Sequence, residues 1–204
     1  MFSSPQDFFT ASAPFIQIFD AWASRMTPDA TADHICYKCE SSEEFESMRK
    51  MFESSSVFIY QSIISQRRIA IVKFLEPIQT SLGPIWFLEL SDQKPDGSQK
   101  SEFDHIEIYP NTGTMDDLAI AINKTFSAEA SSGARDSNVS RRTDMYGEEH
   151  LDIRKPEMAQ IKTFYFEKII RPHHTTYDAF LEGTFKVRLE PDALIGKIKR
   201  EEML

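Results

Sequence analysis

Four side chains in this sequence combine a metal-binding residue type with a place in a strand-like segment. They are His34, Glu89, His105 and Glu190. Side chains alternate between the two faces of a strand, so residues two apart share a face. In each of the four segments this alternation puts the donor on the face opposite its apolar neighbours. We therefore expect the four donors to lie on one face of a sheet.

Histidine and carboxylate ligands together suit a divalent first-row metal such as zinc, nickel, manganese or iron. A single histidine or glutamate on a strand is more often solvated or hydrogen-bonded. The prediction therefore depends on the shared orientation and on the presence of a histidine and a carboxylate in each half of the chain. We predict one divalent metal ion held by His34, Glu89, His105 and, as a fourth ligand, Glu190.

The first half of the chain has the pattern of a strand, a helix and three further strands. Residues 32–39 are strand-like, and a capping box from Ser41 to Glu44 predicts the start of a helix. The strand-like segments that follow are 57–62, 68–75 and 85–90. Two helical stretches precede this unit, the first beginning at Ser4 and Pro5.

The second half repeats the opening of that order. Residues 102–109 are strand-like, and a capped helix follows from Thr114. Residues 127–160 are polar, and we expect a long excursion there with one strand inside it. The remaining candidates are strands at 161–170 and 185–190 and a short terminal helix at 192–203.

These patterns predict an α+β fold in which two βαβββ modules form a curved mixed sheet around a metal-binding cleft, with helices at the N-terminus. We expect a single domain over residues 1–204. Its parts are N-terminal helices in 1–30, a first module in 31–100, and a second module in 101–204 with a polar insertion around 127–160.

The composition excludes several classes of partner. Lys and Arg number 23 against 32 Asp and Glu, which gives a net charge of −9 over 204 residues. Such a surface repels nucleic-acid phosphates and anionic lipids, so we expect neither nucleic acid nor membrane as a partner. Only two cysteines occur, and no apolar run reaches membrane-spanning length. We expect a cytoplasmic monomer or homodimer.

Several spaced segments resemble the signature segments of the YecM family. They are TADHICYKC at 31–39, RIAIVKFLEPIQ at 68–79, FLEL at 87–90 and DHIEI at 104–108. The resemblance places the chain in the vicinal oxygen chelate superfamily, with glyoxalase I, extradiol dioxygenases, methylmalonyl-CoA epimerase and bleomycin-resistance proteins as relatives. It implies metal ligands at His34, Glu89 and His105. The tail VRLEP at 187–191 is similar to the family's last strand, although Glu190 stands where the family can carry histidine.

The resemblance also implies a function. A small-molecule substrate would bind the metal through adjacent oxygens, and the cation would stabilise the negative charge that develops on them. Glu89 or Glu190 would act as the general base. We expect an isomerase or lyase ahead of an oxygenase, for which a His, His and carboxylate set is also typical. The alternative is a non-catalytic binding module or interaction protein of the same fold.

Overall fold

The computed structural model describes residues 2–64, 66–130, 138–143, 149–154, 165–170, 175–180, 186–190 and 193. Two compact units divide the chain. The first contains residues 1–21 and 32–106, and the second contains residues 22–31 and 107–204. In the described part of the chain, no helix has both the length and the apolar character needed to cross a membrane.

The N-terminal segment forms one helix where two were expected. Helix α1 runs from Pro5 to Met26, with Asp7 in its first turn and Pro14 inside it. A proline within a helix removes one backbone hydrogen bond and usually ends or kinks the helix. Here the apolar side chains Phe8 and Phe19, on either side of Pro14, are fully buried, and this burial favours a continuous helix.

The first unit has the predicted βαβββ order. Its elements are β1 (Ala30–Lys38), α2 (Ser42–Glu53), β2 (Ser56–Ile64), β3 (Arg67–Ile78) and β4 (Ile85–Ser91), followed by β5 (Glu102–Pro110), which the unit boundary divides after Ile106. The strands lie in the order β2-β3-β4-β1-β5. β1 is parallel to β4, whereas β3 is antiparallel to both β2 and β4, so the sheet is mixed.

The N-cap of the capping box predicted at the start of α2 is confirmed, whereas the reciprocal bond goes to Glu40, one residue before the N-cap. Ser41 is the N-cap, and its hydroxyl accepts a hydrogen bond from the backbone N–H of Glu44 at 3.1 Å. The Glu44 carboxylate accepts in turn from the backbone N–H of Glu40. The other carboxylate oxygen accepts from the hydroxyl of Tyr37 in β1, which ties the helix to the sheet.

Aromatic side chains fill the space between the first unit's sheet and its helices. Phe8 of α1 meets Phe52 of α2 edge to face, with ring centroids 5.4 Å apart. Tyr37 lies 6.0 Å from Phe8 and 5.1 Å from Phe103 of β5. Burial of such rings and their edge-to-face contacts stabilise this side of the sheet, which we call the helix face.

The second unit has more strands than the expected βαβββ order. After β5 come α3 (Met115–Ala130), β6 (Asn138–Thr143), β7 (Glu149–Arg154), β8 (Tyr165–Ile170), β9 (Thr175–Phe180) and β10 (Lys186–Leu189). They lie in the order β5-β10-β9-β8-β7-β6, and the pairs from β10 to β6 are antiparallel. The predicted terminal helix at 192–203 lies outside the described residues, apart from residue 193.

The polar excursion predicted at 127–160 begins within α3 and contains two strands where one was expected. β6 pairs with β7, from Asn138 opposite Arg154 to Thr143 opposite Glu149. Both strands carry few apolar residues, so the period-two hydrophobic pattern that identifies strands is weak there. Backbone hydrogen bonds define these two strands instead, and such bonds produce no hydrophobic pattern in the sequence.

Candidate metal centre

β1, β4 and β5 bring three of the four predicted ligands together in the first unit. The ligand atoms of His34, Glu89 and His105 all lie within 4.8 Å of one another, and the two imidazole rings are 6.0 Å apart. His34 is fully buried and His105 is 2% exposed, whereas the Glu89 side chain is 21% exposed. The carboxylate is thus the member of the set that solvent or a small molecule reaches most easily.

The strand register explains why these side chains share a side of the sheet. In the parallel pairing of β1 with β4, His34 lies opposite Phe87 and Cys36 lies opposite Glu89. Residues directly opposite each other in a sheet share a face, and so do residues two apart. We call this side the site face, and Tyr37 belongs to the opposite helix face.

The donor set fits a divalent first-row ion. His34 Nε2 lies 3.6 Å from Glu89 Oε2. Two ligands each about 2.1 Å from one ion at a tetrahedral angle are about 3.4 Å apart, so this spacing is close to the one an ion would require. Two imidazoles and one carboxylate are also the mixed nitrogen and oxygen ligands that zinc, iron, nickel and manganese accept.

An aspartate holds the other nitrogen of each imidazole. Asp33 Oδ2 lies 3.0 Å from His34 Nδ1, and Asp104 Oδ2 lies 2.7 Å from His105 Nδ1. A carboxylate oxygen accepts, so Nδ1 is the donor, and in the neutral ring Nε2 then has the lone pair that can bind a metal. Metal-binding histidines in proteins usually have such a carboxylate partner, which fixes the orientation and the tautomer of the ring.

Strict alternation along β5 would have separated Asp104 from His105. Phe103 packs against Tyr37 on the helix face, whereas His105, two residues later, lies beside His34 on the site face. The alternation is therefore interrupted at Asp104, which also accepts a hydrogen bond from Lys38 of β1. As a result, His105 and the carboxylate that orients it lie on the same side of the sheet.

Two neighbours hold the Glu89 carboxylate on its other oxygen. Glu89 Oε1 accepts from the Ser91 hydroxyl at 3.1 Å and from the Cys36 thiol at 3.4 Å. Oε2 is the oxygen that faces His34, so the two oxygens have different neighbours. Cys36, Asp104 and His105 form a second, overlapping group whose ligand atoms lie within 4.8 Å of one another.

Glu190, the predicted fourth ligand, belongs to the second unit. It directly follows β10, its backbone N–H donates to the carbonyl of Ile108 at 2.9 Å, and the residue is 4% exposed. Its role as a ligand and as a general base stays a prediction.

Sequence reasoning missed the two aspartates. Both occur in the same tripeptide, Asp-His-Ile, at 33–35 and again at 104–106. The repeated tripeptide was the available signal. Strand alternation sends adjacent side chains to opposite faces, so it predicts no contact between each aspartate and the histidine that follows it.

The comparisons with known proteins agree on a family and a fold. The family model described as YecM protein matches residues 5–180. A solved structure described as "Structural Genomics, Protein EC4020" is 19% identical, with a TM-score of 0.58, over 96% of this chain and 92% of that one. At this identity the likeness shows a shared fold.

A second solved structure is more distant. It is methylmalonyl-CoA epimerase from Streptomyces coelicolor in complex with 2-nitronate-propionyl-CoA, 13% identical with a TM-score of 0.37, over 78% of this chain and 94% of that one. No curated protein matches this chain.

Proposed function

The chain belongs to the YecM family, as the resemblance indicated, and from that premise we propose that it is a metal-dependent enzyme of the vicinal oxygen chelate type. His34, Glu89 and His105 would hold one divalent ion. The substrate would be a small oxygenated molecule that chelates the ion, and the reaction an isomerisation or a lyase reaction.

One observation supports this proposal above the others. Each of two buried imidazoles, on different strands, has an aspartate on Nδ1, and their ligand atoms group with those of Glu89. Burying polar groups is costly unless each has a suitable partner. A structural role would not require two histidines to be oriented in the same way around one point. Metal binding accounts for the arrangement.

The side chains around Glu89 orient its carboxylate and leave it accessible to a substrate. Ser91 and Cys36 hold one carboxylate oxygen, and the exposed fraction of 21% gives a substrate access to the group. We propose Glu89 as the general base that takes a proton from substrate carbon, with Glu190 as the second predicted candidate. A bound divalent ion would supply Lewis-acid stabilisation of charge on the substrate oxygens.

A second candidate is an oxygenase. Two histidines and one carboxylate are the ligand set of many non-haem iron oxygenases. Dependence of activity on Fe²⁺ and on oxygen would favour it over an isomerase or lyase. The non-catalytic binding module is the third candidate, and ligand binding without turnover under any of the metals would identify it.

The test is metal binding by the purified full chain. We expect one equivalent of Zn²⁺, Ni²⁺, Mn²⁺ or Fe²⁺ by elemental analysis after removal of chelator, and loss of that ion in the His34→Ala/His105→Ala variant. His150→Ala, a histidine substitution in β7 of the second unit, is the matched control.

Equal metal content in the double variant and the wild type would refute the site. A circular dichroism spectrum and a melting curve of each variant separate loss of the ligands from loss of the fold. Glu190→Gln completes the set of variants. If Glu190 is the fourth ligand, this variant should also bind the metal more weakly.

A further inference from the structure

Three basic residues lie on the site face next to the candidate metal centre. In β4, Phe87 pairs with both His34 and Lys73, and Ser91 pairs with both Lys38 and Ile69. Arg67 is two residues from Ile69, so alternation puts it on the same face.

The basic side chains of this face lie on β1 and β3, in a chain that is acidic overall. Acidic residues outnumber basic ones by 32 to 23 overall. Along β1, β3 and β4 the site-face positions carry Lys38, Arg67, Lys73 and one acid, Glu89, and β5 adds Asp104 beside His105. Whether a cation on this face can attract an anion therefore depends on which of the three already has a carboxylate partner.

The three cations differ in what they bind. Lys38 forms an ion pair with Asp104, and Arg67 donates to the Gln99 side chain. The Lys73 ammonium instead lies 6.0 Å from the centre of the Phe87 ring. Among the described residues, no carboxylate forms an ion pair with Lys73. It is therefore the cation best placed to bind an anion from outside the chain.

The distance from Lys73 to the metal centre suits a small molecule. Lys73 and His34 flank Phe87 on the two neighbouring strands, so their backbones are about 10 Å apart. Phe87 is partly exposed between them, and its ring lies 6.3 Å from that of Phe58. An apolar surface thus connects the candidate metal centre with a cation.

We propose that Lys73 binds a carboxylate of the substrate while the opposite end of the same molecule reaches the metal centre. Phe87 packs against the apolar part between the two ends. The substrate class is then a small, partly apolar carboxylate with two adjacent oxygens at its far end. This inference rests on the proposed function, because it takes His34, Glu89 and His105 as the other anchor.

A matched pair of probes tests the inference by calorimetry on the Zn²⁺-loaded full chain. Both 3,4-dihydroxyphenylacetate and 4-ethylcatechol offer two adjacent oxygens, and they differ in a carboxylate that replaces a methyl group. We expect the anionic probe to bind about tenfold more tightly, and this preference to decrease as salt is added.

The variants assign that preference to one side chain. Lys73→Met removes the charge and keeps most of the stem, so it should abolish the preference while the affinity for 4-ethylcatechol stays unchanged. Lys73→Arg should retain most of the preference. The control is Lys50→Met, at an exposed position of α2, and it should match the wild type.

Separate measurements distinguish failure of this inference from failure of the proposed function. Equal binding of the two probes to the wild type, or a preference that survives in Lys73→Met, overturns the inference and leaves the metal centre intact. Metal-loaded protein that binds neither probe likewise overturns the inference and leaves the metal centre intact. A chain that holds no metal at all overturns the proposed function, and this inference with it.

Discussion

Both faces of the first unit's sheet contain buried side chains, yet those side chains differ in their chemistry. On the helix face Phe8, Phe45 and Phe52 are fully buried, and the rings of Phe8 and Phe52 meet edge to face. On the site face His34 and His105 are nearly as buried, but they are ionisable and held by aspartates. Apolar burial stabilises a fold, whereas burying a polar group is costly unless that group has a partner.

The helix face also contains polar groups, and they serve the structure. Tyr37 donates to Glu44, and burial together with the Glu44 charge raises the pKa of Tyr37 well above its usual value. Burial similarly raises the pKa of the Cys39 thiol, so this cysteine stays protonated at neutral pH. Stability and chemistry should therefore respond to different substitutions on the two faces.

The largest effect is expected on the helix face. Phe52→Ala removes a ring that contacts Phe8, Phe9 and Phe74, and it should lower the free energy of unfolding by about 3–5 kcal/mol. Urea denaturation measures this. Phe52→Leu, a smaller change in volume, should lose less and keep the metal affinity of the wild type. A weaker metal affinity in Phe52→Leu would show that the two faces are coupled.

The next effect concerns the site face. Asp104→Asn weakens the hold on His105 Nδ1, and it should lower metal affinity about 10-fold to 100-fold. The matched control is Asp92→Asn, because Asp92 is equally buried but accepts from Arg68 and from Ser42 of α2. Calorimetric titration with Zn²⁺ gives the affinities.

In that control we expect lower stability with unchanged metal affinity. If both substitutions reduced metal affinity equally, the orienting role of Asp104 would be excluded, and the distinction between the two faces with it.

The smallest effect is expected at the start of α2, on the helix face. Ser41→Ala removes the N-cap acceptor of Glu44 N–H and should destabilise the fold by about 1 kcal/mol. Ser41→Asp retains an acceptor and should restore most of the loss in thermal denaturation. Neither variant should change metal content, and a change would show that α2 supports the site face as well.

Local sequence patterns were sufficient for much of the first unit. The capping box at Ser41 and the order of its elements were predicted from residue spacing, because apolar periodicity there is strong. The shared face of His34 and Glu89 followed from alternation alone, since β1 and β4 pair in a regular register. Patterns were insufficient for β6 and β7, where few apolar residues mark the strands.

Residue order along the chain settled which residue types stand at each position of a strand, and therefore which donors could share a face. The folded chain was needed to show that β1, β4 and β5 are close enough to group those donors, and that β5 departs from alternation at Asp104. Strand order depends on contacts between residues far apart in the chain. Alternation is a local rule, and so it could not predict a site in which Asp104 and His105 lie on the same side.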